Sequence, residues 1–221
     1  VKNLVLDANS RISLSNNDGN TENTVFGYNA LTNAGTVLGD VGADFNVAVG
    51  HKAMGTGNTT SAEQNVAVGN LALEDIISGN HNIAIGSNAG GGITTLNDTV
   101  FIGGNAGVAV TVTGGSNAYD GTVGIGKSAL AALTSGAKNI AIGFDAMGDM
   151  QTGTNNIALG YESMNALQGG DGSGGVAASA NAGNHNIAIG TDAMGAVEGY
   201  RSTTEIDGNI AIGTNALLGG D

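Results

Sequence analysis

Three acidic residues recur at one position of a repeated sequence pattern and are the first candidates for chemistry. Asp145, Glu162 and Asp192 each lie two residues after a glycine that closes an Asn-Ile-Ala-Ile/Leu-Gly segment. If neighbouring repeats stack as strands, their carboxyl groups lie about 5 Å apart, near the spacing found in retaining glycosidases. The same oxygens suit a surface Ca²⁺ or Mg²⁺ ion. A solvated acidic edge is the simpler interpretation, so we predict no catalytic residue and no cofactor beyond such an ion.

A second candidate is a match to the phosphate-binding loop pattern G-x-x-x-x-G-K-S, from Gly121 to Ser128. In nucleotide-binding proteins this loop joins a strand to a helix, and an Asp downstream helps to hold Mg²⁺. Here Gly126 occupies the glycine position of the repeat, and Lys127 and Ser128 fall on its variable positions. The repeat accounts for the match, and we predict no nucleotide site.

Ten copies of this repeat organise the chain. The segment Asn82–Gly86 reads Asn-Ile-Ala-Ile-Gly and recurs almost unchanged from Asn139, Asn186 and Asn209. The aligned glycines are Gly27, Gly50, Gly69, Gly86, Gly103, Gly126, Gly143, Gly160, Gly190 and Gly213. The shortest spacing between them is 17 residues, and the longer spacings place insertions near 108–120, 165–185 and 195–208. We predict a repeat region over 23–221, preceded by a strand segment over 1–22 that leads into it.

Each copy has the pattern of a short strand that is apolar on both sides. The two residues flanking the central position are mostly Val or Ile, which suit strands, and the central residue is usually Ala. Seventeen residues are too few for a helix pair, and glycine with β-branched residues disfavours helix. We therefore predict an all-β chain: a parallel β-solenoid of about ten coils, each with two short strands and two turns. The first residue of a copy is Asn in eight of ten copies, with Thr99 and Thr122 in the other two, and these residues are predicted to form a ladder of stacked amides.

The small side chains predict an interface. The Ala side of the strands is predicted to lie on the outside of a thin coil. It would then form a long apolar stripe in a single chain, and such stripes mark association surfaces. The residues predicted to contact sister chains are Ala84, Ala141, Ala158, Ala188 and Ala211. This reasoning predicts an oligomer but leaves the number of chains open.

Composition excludes several classes of protein. The chain of 221 residues has a formal net charge of −13 and only six Lys and Arg, so binding of nucleic acid through phosphates is disfavoured. No apolar run is long enough to span a bilayer, which predicts no membrane insertion. The chain has no Cys, so it forms no disulfides and is compatible with any redox compartment, including the extracellular space.

The units from Asn139 to Ala146 and from Asn209 to Ala216 resemble the Asn-x-Val-Ala-Ile-Gly-x-x-Ser/Ala repeats of trimeric autotransporter adhesin heads. Similar repeats occur in bacteriophage tail fibres, and the resemblance covers about residues 23–217. It implies a left-handed parallel β-roll, three chains around one long axis, and no enzymatic chemistry in the repeats. The unit of 17 residues is longer than the usual coil of adhesin heads.

Together these features predict a structural and adhesive shaft in a trimeric virion appendage, such as a phage tail fibre. Its partners would be two further copies and a host cell-surface glycan or protein. Tyr119, Tyr200 and Arg201 lie in insertions and are candidates for receptor contact, since Tyr and Arg are favoured at binding hot spots. The alternatives are the head of a trimeric bacterial surface adhesin and, less favoured, a polysaccharide-degrading tailspike that uses Glu162.

Overall fold

The computed structural model describes residues 10–13, 22–32, 43–56, 59, 61–109, 121–134, 136–165, 183–195 and 207–217. Within these ranges the chain forms strands and turns, and no helix occurs. The strands are β1 Ser10–Ser13, β2 Thr24–Tyr28, β3 Val47–Val49, β4 Val66–Val68, β5 Ile83–Ile85, β6 Val100–Ile102, β7 Val123–Ile125, β8 Ile140–Ile142, β9 Ile157–Leu159, β10 Ile187–Ile189 and β11 Ile210–Ile212.

All of these strands belong to one sheet, in which their spatial order is their order along the chain. Strands β2 to β11 pair in parallel, and each repeat copy contributes one of them. The copies stack in register: Ala141 of β8, for example, lies opposite Ala158 of β9. The predicted parallel β-solenoid is confirmed. β1, from the segment before the repeats, pairs antiparallel with β2.

The described coils contain one strand each, where two were predicted. The region after the repeat glycine is a turn, because alternate residues such as Asp145 and Met147 have φ of 55° and 52°. Successive coils still bond to each other there. The amide of Asp145 donates to Lys127 O over 2.9 Å, and the amide of Met147 donates to Ser163 O over 3.0 Å. Backbone hydrogen bonds therefore join neighbouring coils along both walls.

The predicted interface of small residues is wrong, because those side chains fill the interior of a single chain. Four of the five predicted residues are 0% exposed and the fifth is 2% exposed. They are Ala84, Ala141, Ala158, Ala188 and Ala211. The physical reason is the thickness of the coil: the central strand residue points inward against the opposite wall, where only a small side chain fits. The β-branched residues on either side of it point outward.

The opposite wall supplies the larger core residues. The position four residues after the repeat glycine holds Leu or Met in most copies. It is fully buried at Met54, Leu73, Leu130, Met147, Met164 and Met194. Glycine takes this position at Gly107, in the coil whose inward strand residue is Phe101, and at Gly90, in the coil before it. A Cβ at Gly107 would lie 2.7 Å from Cζ of Phe101, and one at Gly124 would lie 3.0 Å from its Cδ1. These glycines make room for the ring.

Candidate interaction surface

The outward residues of the strands form a continuous apolar surface, which we call the outer stripe. It consists of the first and third strand residues of every coil, and it contains no charged side chain. Its members are Thr24, Phe26, Val47, Val49, Val66, Val68, Ile83, Ile85, Val100, Ile102, Val123, Ile125, Ile140, Ile142, Ile157, Leu159, Ile187, Ile189, Ile210 and Ile212. Several are substantially exposed, including Ile85 at 39% and Ile142 at 41%. An apolar stripe of this length is typical of an association surface.

A buried ladder of amides stiffens the wall behind the outer stripe. Oδ1 of Asn65 accepts from the backbone amide of Asn82 over 2.9 Å and from its Nδ2 over 3.0 Å. Nδ2 of Asn82 also donates to Leu96 O over 2.6 Å, so each side chain bonds to the next coil and to its own. The same arrangement links Asn139, Asn156, Asn186 and Asn209. The predicted amide ladder is confirmed.

Two threonines replace Asn in this ladder. Thr99 continues it, because its Oγ1 donates to Oδ1 of Asn82 over 2.6 Å. Thr122 does not: its side chain is buried, and within the described residues its Oγ1 has no hydrogen-bond partner. A buried hydroxyl without a partner costs free energy because it has lost its hydrogen bonds to water. The ladder thus has a weak point between Thr99 and Asn139.

This difference predicts opposite effects for two isosteric substitutions. Thr122→Val removes an unpaired hydroxyl, and we expect it to raise the free energy of unfolding by about 1 kcal/mol. Thr99→Val removes a bonded hydroxyl, and we expect a loss of about 1 kcal/mol. Denaturant unfolding followed by circular dichroism measures both. Equal effects at the two positions would contradict the structure of the ladder.

Two columns of exposed residues border the outer stripe. The leading edge is the residue just before the Asn or Thr of each copy: Glu22, Phe45, Gln64, His81, Asp98, Gly121, Lys138, Asn155, His185 and Gly208. The trailing edge is the residue just after the repeat glycine: Tyr28, His51, Asn70, Ser87, Gly104, Lys127, Phe144, Tyr161, Thr191 and Thr214. Every leading-edge residue is exposed, and so is every trailing-edge residue except the half-buried Gly104.

The trailing edge contains a stack of three side chains from successive coils. The rings of Phe144 and Tyr161 are 5.3 Å apart between centroids and inclined by 8°. Nζ of Lys127 lies over the ring of Phe144, 5.6 Å from its centroid, and forms a cation–π contact. This stack was not predicted from the sequence. Its signal was the regular interval of one repeat between the three residues, each directly after a repeat glycine.

The three candidate metal ligands lie beside this stack, in successive coils. Burial raises the pKa of Asp145, and the negative charges of Asp149 and Glu162 raise it further, while Lys127 lowers it. Within the described part of the chain, no three His, Asp or Glu side chains are grouped closely enough to hold a metal ion. The solvated acidic edge and the surface Ca²⁺ or Mg²⁺ ion considered for Asp145, Glu162 and Asp192 both stay predictions.

The Glu162 carboxylate acts on its neighbour Tyr161. A hydrogen bond between their side chains and the negative charge of Glu162 both raise the pKa of the Tyr161 hydroxyl, because each favours the protonated form. We expect Glu162→Gln to lower this pKa towards the ordinary value. Absorbance of tyrosinate during a pH titration measures it, with Tyr161→Phe subtracted to isolate the signal. Glu74→Gln, which alters a glutamate paired with Lys52, is the control and should leave the titration unchanged.

The apparent phosphate-binding loop is a coil of the solenoid. Strand β7 runs through the middle of the motif, and a turn follows it where a nucleotide-binding protein has a helix. Lys127 is turned to the ring of Phe144. This arrangement agrees with the interpretation of Gly126, Lys127 and Ser128 as positions of the repeat.

The candidate receptor-contact residues Tyr119, Tyr200 and Arg201 lie outside the described residues, as do most of the three insertions. Within the described ranges, none of the segments forms a helix able to span a bilayer. No protein-family model, curated protein or solved structure matches this chain.

Proposed function

We propose that the chain is a shaft segment of a homotrimeric virion appendage, such as a phage tail fibre. In this role it holds or forms a surface that binds a glycan or protein of the host cell. The observation that carries the proposal is the outer stripe: an uncharged apolar face that continues over all ten parallel strands. A face of this kind on a rod of stacked coils suits assembly with further copies side by side.

The mechanical part of the proposal rests on the hydrogen bonds between coils. Ten parallel rungs at about 4.8 Å make a rod roughly 45–50 Å long. Backbone bonds join neighbouring rungs on both walls, and the buried amides add a third line of bonds. Such a rod resists bending, because bending must stretch several bonds at every rung. Stiffness is what a support for a distant binding tip requires.

The size of the outer stripe fits association between copies. From leading to trailing edge a coil spans six residue steps, about 20 Å at strand spacing. Over the length of the rod this gives a face of roughly 900 Å², close to the ~800 Å² that each partner contributes to a standard interface. The number three comes from the resemblance of the repeats to trimeric appendages.

The head of a trimeric bacterial surface adhesin is the second candidate. The same Asn-Ile-Ala-Ile-Gly repeats, as in Asn139–Gly143, favour this function. The two candidate functions differ in the anchor of the rod, which is a virion in the first and a bacterial cell envelope in the second. In both cases the work is mechanical and adhesive, and we propose no enzymatic step. A depolymerising tailspike would instead require that Glu162→Gln abolish polysaccharide turnover.

Two measurements test the proposal. The mass of the intact assembly in solution should be about 64 kDa, for three chains of 21.5 kDa each. Gold-labelled antibodies against the purified chain should then decorate fibres of virions in electron micrographs. Decoration of bacterial envelopes instead would favour the adhesin, and a monomeric chain that labels neither structure would refute both functions.

A further inference from the structure

The two borders of the outer stripe differ in charge in the coils of β8 and β10, where an acidic residue directly follows the trailing edge. In the coil of β8 the leading edge is Lys138, and the trailing edge is Phe144, followed by Asp145. In the coil of β10 the leading edge is His185, and Asp192 follows the trailing edge. Within one chain strand β8 separates these groups, so Lys138 and Asp145 lie at opposite borders of the stripe.

Rotation about the long axis of the rod would bring these borders together. In a cyclic assembly around an axis parallel to the rod, the copies are not displaced along the axis, so equivalent coils lie at the same level. The leading edge of one copy then lies against the trailing edge of the next. A two-fold axis across the rod would instead set leading edge against leading edge. Only the first arrangement places the Lys138 ammonium near the carboxylate of Asp145 in another copy.

We infer that, in the assembly proposed above, neighbouring copies meet edge to edge at the same coil, with Lys138 of one copy on Phe144 and Asp145 of the next. This inference rests on the proposed function. The Lys138 stem packs along the border of the Phe144 ring, which is 40% exposed, and its ammonium reaches Asp145. His185 meets Asp192 in the same way, two coils further along.

The charges of the other coils agree with this register. Same-coil pairing sets no two like charges against each other in any of the ten coils. A shift of one coil in one direction would set Lys138 against Lys127. A shift in the other direction sets Lys138 against Glu162 but cannot close by rotation, because each copy would be displaced along the axis. An incoming ammonium group would also offset the negative charges of Asp149 and Glu162 beside Asp145, which Lys127 of the same chain offsets in part.

The absence of cysteine makes a direct test by disulfide trapping feasible. In the double variant Lys138→Cys/Phe144→Cys, the two thiols of one chain are separated by a strand and lie about 20 Å apart, too far for a bond within the chain. Mild oxidation should therefore link each copy to the next and give a covalent trimer on a denaturing gel. The single variants should stay unlinked. A reduced sample of the double variant is the matched control.

The outcomes separate this inference from the proposed function. If the wild type is an oligomer but the double variant stays unlinked, the edge pairing is wrong and the shaft proposal stands. Linking by Lys138→Cys alone would show leading edges together, and efficient linking by Lys138→Cys/Tyr161→Cys in place of the first pair would show a shifted register; either overturns the inference. A monomeric wild type overturns both proposals.

Discussion

Gly103→Ala should lower the stability of the solenoid by about 3 kcal/mol or more, while Gly104→Ala, one residue later, should leave it nearly unchanged. Gly103 is a repeat glycine with φ of +131°, a conformation that a residue with a Cβ rarely adopts. A Cβ there would also lie 2.5 Å from the carbonyl carbon of Gly126 in the next coil. The backbone strain and the steric overlap both lower the stability of the variant. The overlap cannot be relieved by moving the coils apart, because that would break the hydrogen bonds between them.

Gly104 is the matched control for this prediction. The nearest atom to a Cβ at Gly104 is Ser87 O at 3.9 Å, and its φ lies outside the left-handed region. Alanine there also restricts the unfolded chain, so the change is expected within about 0.5 kcal/mol of neutral. Thermal unfolding followed by circular dichroism measures both, and Gly103→Ala should lower the midpoint by about 6–12 °C. Similar midpoints for the two variants would show that the coils do not approach closely at the glycine.

The register of the solenoid could be predicted because it depends on local patterns that recur. The amide ladder uses Asn at one position, the turn needs glycine, and the inward position opposite needs Leu or Met, such as Met147. Glycine recurs in all ten copies, and each of the other two features recurs in eight of them. The ten copies therefore confirm one another, and the strand positions follow from their alignment.

Which side of the strand faces inward could not be predicted from period two alone, since Ala141 and its neighbours Ile140 and Ile142 are all apolar. A pair of compensating residue changes in the sequence does indicate the inward side. Where the central strand residue is Phe101, the opposite-wall position becomes glycine at Gly90 and Gly107. A ring that requires glycine across the coil must point inward, and the structure shows that contact. The insertions carry no such repeated constraint, so their residues could be named only by type.

Because the outward strand residues, and not the alanines, form the exposed apolar face, substitutions at outward positions are the most sensitive test of assembly. In the double variant Ile85→Lys/Ile142→Lys, both side chains replaced lie on the outer stripe and are substantially exposed in a single chain. The fold should survive, with an unchanged circular dichroism spectrum. Assembly should fail, because each copy would have to bury two unpaired ammonium groups. At about 2 kcal/mol for each lysine, association weakens roughly 1,000-fold per chain.

Sedimentation of the wild type and the double variant measures this effect. We expect about 64 kDa for the wild type and 21.5 kDa for the variant. Ala141→Lys is the internal control, since it places the same charge one residue away but inside the coil, where it should unfold the chain. Gln151→Lys, at an exposed position outside the outer stripe and both of its edges, should change neither mass nor fold. A double variant that still assembles would place the interface elsewhere on the rod, because no packed apolar face accepts two unpaired charges at so little cost.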